Sequence, residues 1–267
     1  MVALGLNLKR SVGSETIPKL IHYVWVGGRP LPARFQANIE TWKRHNPDYT
    51  IVCWDERSID ASDPYIARAR EERAWAKLSD LVRLQVIRDF GGIYLDTDVE
   101  VVRPLDTLLR EQCFVGYQSL LAEDDPVCNA VIGARPQHEF IIELIEQFPR
   151  NDPRLLNQVG TGPELFSRAL IARGLPRVSL TPVKVGDVTV MPITVFYPYH
   201  WSQTYNKRCL RPDTLTVHHW DMSWHGESAS MLRRVLIDGV KAQPWLYRAI
   251  RASYHRMGRL FRSDRPE

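Results

Sequence analysis

The sequence predicts an α/β fold, with a mixed central sheet flanked by helices in a single domain. Two patterns carry this reading. Strand-like apolar runs alternate with helical periodicities over the first two thirds of the chain, and after residue 176 the pattern turns to short strands. The length of 267 residues is enough for one full core, and 44% hydrophobic with 25% charged residues is the composition of an ordinary globular chain.

The elements follow in order. KLIHYVWVGG (19–28) is a β-rich run closed by two glycines, a first strand. PARFQANIETWKRHNP sets Phe35, Ile39 and Trp42 at helical spacing and stops at proline. YTIVCWDE is a second strand. DPYIARAREERAWAKLSDLVRLQVIRDFGG reads as helices ending at Gly91. IYLDTDVEVV is expected as one continuous third strand. CFVGYQ and NAVIGA are further strands, QHEFIIELIEQF and GPELFSRALIARG are helices, and VSLTPV, DVTVMP, TVFYPY and TLTVHHW are short strands.

Bulk properties narrow the function. A formal charge of +4 suits an anionic ligand or surface and is too weak to argue for nucleic acid. No apolar run approaches the roughly 20 residues of a membrane-spanning helix. The basic residues of MVALGLNLKRSVGSET follow its apolar piece, the reverse of a signal peptide, so the cytoplasm is the expected compartment. Cys53, Cys113, Cys128 and Cys209 show no metal-like spacing and read as reduced interior thiols.

The chemistry concentrates in GGIYLDTDVE. On a strand, Asp96 and Asp98 would project to the same face. Two desolvated carboxylates side by side cost several kcal/mol unless a cation or donors compensate. Oxygen ligands near the carboxyl end of a strand favour a hard cation, Mg²⁺ or Mn²⁺. A DxD alone also fits a strand running out to solvent. Upstream, SDLVR places Asp80 and Arg83 at i and i+3 on one helix face. The break at Gly91–Gly92 would return the strand against that helix, with Asp80 and Arg83 across from Asp96. Downstream, TVHHWDMSW offers His218 and His219. Neighbouring strand residues face opposite ways, so at most one of these can join a given site.

Together, IPKLIHYVWVGG, KLSDLVRLQVIRDFGGIYLDTDV, NAVIGA, TGPELF and HHWDMSW resemble the DxD-type glycosyltransferases of family 32. That group includes Och1-like mannosyltransferases and bacterial capsule or lipopolysaccharide sugar transferases, and its core is similar to that of the large clostridial glucosylating toxins. SDxxR followed by GGxYxDxD is the specific block. The resemblance implies a GT-A nucleotide-sugar-binding fold over residues 17–230, with an N-terminal extension (1–16) and a basic amphipathic tail (231–267). It implies a retaining hexosyltransferase with a nucleotide-diphosphate sugar donor, UDP-sugar favoured and GDP-mannose the other option, and Mn²⁺ or Mg²⁺ as cofactor. The acceptor would be a glycan or lipid-linked sugar hydroxyl, as in polysaccharide biosynthesis. By position, Val24 and Trp25 would read and stack on the base, and Asp80 and Arg83 would hold sugar hydroxyls. Tyr94 and Asp96 would contact the nucleoside, and Asn129 would sit near the sugar. The Thr161–Gly162–Pro163 turn would face the acceptor. The metal ligands would be Asp96, Asp98 and one of His218 and His219, with Ser223 and Trp224 closing over the diphosphate.

Three other readings compete. A haloacid-dehalogenase-like phosphohydrolase also uses an aspartate pair after an apolar strand, but its motif usually lies near the start and is followed by a later acidic pair; here the only acidic doublet downstream is in AEDDP. A glycosidase draws its carboxylates from separate elements. A catalytically inactive sugar binder would not need Asp80, Arg83, Asp96 and Asp98 together. The Arg- and aromatic-rich stretch from Leu232 to Arg262 is either a helix packed on the domain or a peripheral contact with an anionic membrane surface, the inner leaflet.

Overall fold

The computed structural model describes residues 14–119, 125–151, 160–201 and 203–221. The tail, Ser223 and Trp224 lie outside these residues, as does nearly all of the N-terminal extension. The described chain groups into one unit covering residues up to 200 together with 205–220, and a second to which residues 201, 203, 204 and 221 belong. No helix among the described residues is long and apolar enough to cross a membrane.

In the first unit, seven strands form one mixed sheet. The elements are β1 (Leu20–Val24), α1 (Ala33–His45), β2 (Thr50–Trp54), α2 (Pro64–Glu71), α3 (Trp75–Phe90), β3 (Gly92–Leu95) and β4 (Val99–Val101). They continue with β5 (Cys113–Tyr117), β6 (Val127–Ala134), α4 (Glu139–Glu146), α5 (Pro163–Ala172), β7 (Val183–Val185), β8 (Val188–Met191), α6 (Ile193–Phe196) and β9 (Thr216–His218). The sheet order is β2-β1-β3-β6-β5-β8-β7, and β4 pairs with β9 in a separate two-stranded ribbon. β1 runs parallel to β2 and β3, whereas β6 is antiparallel to β3 and β5. This is the mixed-sheet α/β architecture that the alternation predicts.

Each face of the sheet buries its own cluster. On one, α3 packs Leu78, Leu81, Val82 and Val86 with Trp54, Tyr94, Phe140 and Phe166. On the other, Ile39 and Trp42 of α1 join Ile21, Ile93, Leu95, Val99 and Phe196. α3 is buried almost all round, which removes polar residues from most of its surface and leaves Asp80, Arg83, Gln85 and Asp89 as buried exceptions that need partners.

The corner between α3 and β3 admits only glycine. Gly91 and Gly92 have φ of 65° and 100°, and a Cβ there would come within 2.7 Å of Pro136 and 2.8 Å of Leu20, respectively. His22 braces the corner: its Nε2 donates to Gly91 O (2.8 Å) and its Nδ1 accepts from Trp54 Nε1 (3.2 Å).

Three sequence expectations are corrected. Residues 93–102 are not one strand, because the chain leaves the large sheet at Leu95 and turns through 96–98 before β4 begins in the ribbon. TVFYPY does not form a strand. Ile193–Phe196 is a short helix, with Ile193, Val195, Phe196 and Tyr197 all buried in the second cluster, so its apolar pattern serves burial rather than pleating. Finally, Cys53 is exposed on the edge strand β2 and Cys209 is half-buried; only Cys113 and Cys128 are interior, and all four thiols are free.

Burial lowers the His22 pKa to about 4, against the pull of Gly91 O. The unfolded chain therefore takes up this proton first as pH falls. The His22 contribution is complete above about pH 6.5 and is lost between there and about pH 4. Urea unfolding at pH 7 and pH 5 should show a fall in stability of which about 2 kcal/mol is absent in His22→Gln. An equal fall in both proteins would refute the assignment.

Candidate functional site

The site is built where α3, the end of β3, the 96–98 turn and β9 meet. α3 delivers Asp80 and Arg83 one turn apart, as their spacing predicts. The Arg83 side chain is only 6% exposed and lies between two carboxylates, with Nη2 3.3 Å from Asp80 Oδ1 and Nη1 3.2 Å from Asp96 Oδ1. Its Nη1 also donates to Asn129 O (2.7 Å), and the guanidinium sits 4.6 Å from the centre of the Tyr94 ring. Burial disfavours this charge, but Asp96 and Asp80 outweigh it and hold the guanidinium above its ordinary range.

Asp80 is fixed from three sides. Besides Arg83, Asn129 Nδ2 donates to its Oδ1 (3.1 Å) and Thr161 Oγ1 to its Oδ2 (2.8 Å). Gly162, the N-cap of α5, lies so close that a Cβ there would be 3.3 Å from Asp80 Oδ2. Lys77 Nζ in turn donates to Thr161 Oγ1 (3.0 Å).

Asp96 and Asp98 converge, but not by alternation along one strand. A turn closed by Val99 N–H donating to Asp96 O (3.0 Å) swings both carboxylates to one place. The turn is anchored to α1 by Asn38 Nδ2 on Thr97 O (2.9 Å) and by Trp42 Nε1 on Val99 O (2.7 Å). Tyr94 OH donates to Asp96 Oδ1 (2.9 Å), and Ser79 Oγ lies 3.0 Å from the same hydroxyl. Burial raises the Asp96 pKa against Arg83, and the like charge of Asp98 adds to the rise.

The two histidines separate as adjacent strand residues should. His218 Nε2 lies 3.1 Å from Asp98 Oδ2, whereas His219 Nε2 lies 3.0 Å from Glu100 Oε2. The antiparallel register sets His218 opposite Val99, and His219 N–H donates to Asp98 O (2.9 Å). Burial disfavours a charged His218, but Asp98 outweighs it and raises the pKa. One ligand atom each from Asp96, Asp98 and His218 lies within 4.8 Å of the others, the one such cluster among the described residues. Two carboxylate oxygens and an imidazole suit Mn²⁺ or Mg²⁺ better than a thiophilic ion. His219 stands outside this cluster.

Val24 and Trp25 stand at the end of β1. Trp25 is half-buried, with its ring edge-on to Phe35 at 5.7 Å and its Nε1 donating to Arg29 O (2.7 Å). Ser79, Lys77 and Trp220 join the site without having been singled out in the sequence. Lys77 and Ser79 could have been found by helical spacing from Asp80 and Arg83. Trp220, two residues beyond His218, packs on it at 4.3 Å between ring centroids.

Residues 32–115 match the family described as the glycosyltransferase sugar-binding region containing a DXD motif. Inositol phosphoceramide mannosyltransferase 3 of Schizosaccharomyces pombe is 29% identical over 164 residues, 58% of this chain and 45% of that protein. The human alpha-1,4-N-acetylglucosaminyltransferase is 36% identical over 105 residues, 38% of this chain and 28% of that protein. The chain spans about half the length of the curated relatives it matches. Among solved structures, the PaToxG glycosyltransferase aligns with a TM-score of 0.49 at 22% identity, over 59% of this chain and 70% of that one. The galactosyltransferase LgtC, in complex with donor and acceptor sugar analogs, aligns at 0.44 and 12%, over 84% and 95%. The matched residues run from α1 through β3 and the 96–98 turn to the start of β5 in the mixed sheet.

Removing one partner from a buried ion pair leaves the others uncompensated. Arg83→Met should therefore cost about 3–5 kcal/mol in urea unfolding. A cost below about 1 kcal/mol, the range of exposed pairs, would show that Asp80 and Asp96 do not depend on this guanidinium.

Proposed function

We propose that this chain, which belongs with the DxD-type glycosyltransferases of family 32, is a retaining, metal-dependent hexosyltransferase that moves a sugar from a nucleotide-diphosphate donor to a glycan or glycolipid hydroxyl. The observation that carries this reading is the convergence of Asp96, Asp98 and His218 beside an Arg83–Asp80 pair already held in place.

The roles follow from the geometry. The Trp25 ring, with the Val24 backbone beside it, offers a flat face for the base. Asp80 and Arg83 enter the reaction pre-oriented, so binding sugar hydroxyls costs them little further ordering. Asp96, Asp98 and His218 would hold the ion, which when bound supplies positive charge against the departing diphosphate. Each carboxylate is already engaged: Asp80 by Asn129 and Thr161, Asp96 by Tyr94 and Arg83, Asp98 by His218. None stands free as a base, which favours a route in which the acceptor hydroxyl attacks from the leaving-group side and passes its proton to the departing phosphate oxygen. The same engagement disfavours phosphohydrolase chemistry, since a nucleophilic Asp96 would first have to leave Arg83 and Tyr94. An inactive sugar binder is separated from the transferase by turnover.

For the donor, the resemblance of HYVWVGG and of the SDxxR-to-DxD spacing to the UDP-sugar-using clostridial toxins favours a UDP-sugar. Relatives named as mannosyltransferases favour a second reading, mannose from GDP-mannose. Their names, inositol phosphoceramide mannosyltransferase and mannosyl phosphorylinositol ceramide synthase, also support a lipid-linked acceptor. Such an acceptor would place the enzyme at a membrane surface, with the basic 231–267 tail as the contact.

Calorimetric titration with Mn²⁺ present should show UDP binding more tightly than GDP; the reverse order moves the assignment to mannosyl transfer. Asp98→Asn, which changes charge and little volume, should abolish Mn²⁺-dependent release of nucleotide from the donor while the fold survives. Wild-type turnover by that variant would remove the metal assignment.

A further inference from the structure

His218 is a metal-ligand candidate held in an unusual way. A ligating histidine ordinarily donates its second ring N–H to a carboxylate, a carbonyl or water, and that bond sets the direction of the ring. Here Nε2 faces Asp98, while Nδ1 is buried with no hydrogen-bond partner among the described residues. The imidazole is held by aromatic rings instead. Trp220 packs on it at 4.3 Å between centroids, and Tyr197 meets it edge-on at 5.8 Å. Tyr197 and Trp220 also touch each other at 5.8 Å.

The clamp is itself anchored. Trp220 Nε1 donates to Tyr199 O (3.2 Å), and Tyr197 OH accepts from Val131 N–H (3.0 Å), which ties the second ring to β6. Trp220 has φ of 56°, a left-handed backbone that a bulky residue rarely adopts, and non-glycine residues of this kind cluster where the surrounding structure requires a particular direction. A left-handed residue two positions after His218 turns the chain so that its own ring can reach back to the imidazole. Packing alone would be met by an ordinary backbone and an aliphatic residue; the left-handed Trp instead brings an aromatic ring against the imidazole whose Nδ1 has no hydrogen-bond partner among the described residues.

We propose that Trp220 is a positioning residue for the metal site: with Tyr197 it takes the place of the missing hydrogen-bond partner and aims His218 Nε2 at the point shared with Asp96 and Asp98. This rests on the metal-site reading above, and the experiment separates the two. Mn²⁺ affinity of the full chain is measured without nucleotide, by calorimetry and by the free-ion resonance signal, alongside thermal unfolding. Trp220→Gly suits the backbone angle and removes the ring; its Mn²⁺ affinity should fall 10–100-fold, the usual effect of removing a ligand's supporting partner. Trp220→Phe keeps a ring and should stay within about threefold of wild type, a rescue that a cavity effect on stability alone would not give. Should Trp220→Gly fail to fold, Trp220→Asn, which also tolerates the left-handed backbone, is held to the same 10–100-fold fall. Wild-type Mn²⁺ affinity in a folded Gly or Asn variant overturns the proposal whatever happens to the melting temperature. If Asp98→Asn loses Mn²⁺ while those variants keep it, the clamp fails and the metal site stands. If wild type itself binds no Mn²⁺, both fail.

Discussion

The buried guanidinium of Arg83 cannot shed its charge, so everything packed against it must answer that charge. An arginine in this position cannot neutralise itself as a buried lysine or carboxyl group can, because its proton is held beyond any accessible pH. Asp80 and Asp96 supply the compensation from two different elements, and Asn129 O and the face of Tyr94 occupy the remaining directions. One side chain thereby ties α3, β3 and β6 together at a single point. The consequence for chemistry is that Asp80 and Asp96 are oriented before any ligand arrives, which is the state a site needs if binding is not to be spent on ordering it.

That arrangement depends on how sharply the chain turns before β3. The Gly91–Gly92 corner, braced by His22, lays β3 back along α3 closely enough for Asp96 to reach Arg83. Three residues later the chain leaves the main sheet, and this departure makes the second half of the site possible. Had β3 continued straight, its edge would have stayed in the ladder with β6 and no strand could have brought a histidine to Asp98. By switching to the ribbon, the chain pairs β4 with β9, and the register carries His218 to the carboxylates from 120 residues beyond Asp98.

Charge and packing thus divide the work across the site. On the Arg83 side, Asp80 and Asp96 are held by hydrogen bonds and counter-charge. On the His218 side, the imidazole is held by Asp98 at one nitrogen and by aromatic surfaces on the ring. On the first side the guanidinium keeps its charge throughout, while the second joins groups whose proton affinities depend on each other. Both sit on a sheet whose two faces carry separate apolar clusters, so neither half relies on an exposed loop for support.

By itself the sequence determined the α/β class, the order of most elements, the pairing of Asp80 with Arg83, and the rule that only one of His218 and His219 can face the carboxylates. Those are local facts, set by periods of 3.6 and 2 along the chain. It could not decide that IYLDTDVEVV breaks in two, because an apolar run with central aspartates reads the same whether its second half stays in the sheet or leaves it. Nor could it show that Val195 and Tyr197 belong to a helix and its cap, since burial on every side erases the period that marks a strand. Which histidine faces Asp98, and that Trp220 packs on it, were decided by the β4–β9 register and the left-handed turn that follows. A register is a relation between distant segments, set by the packing of the sheet beneath it, and no spacing within either segment contains it.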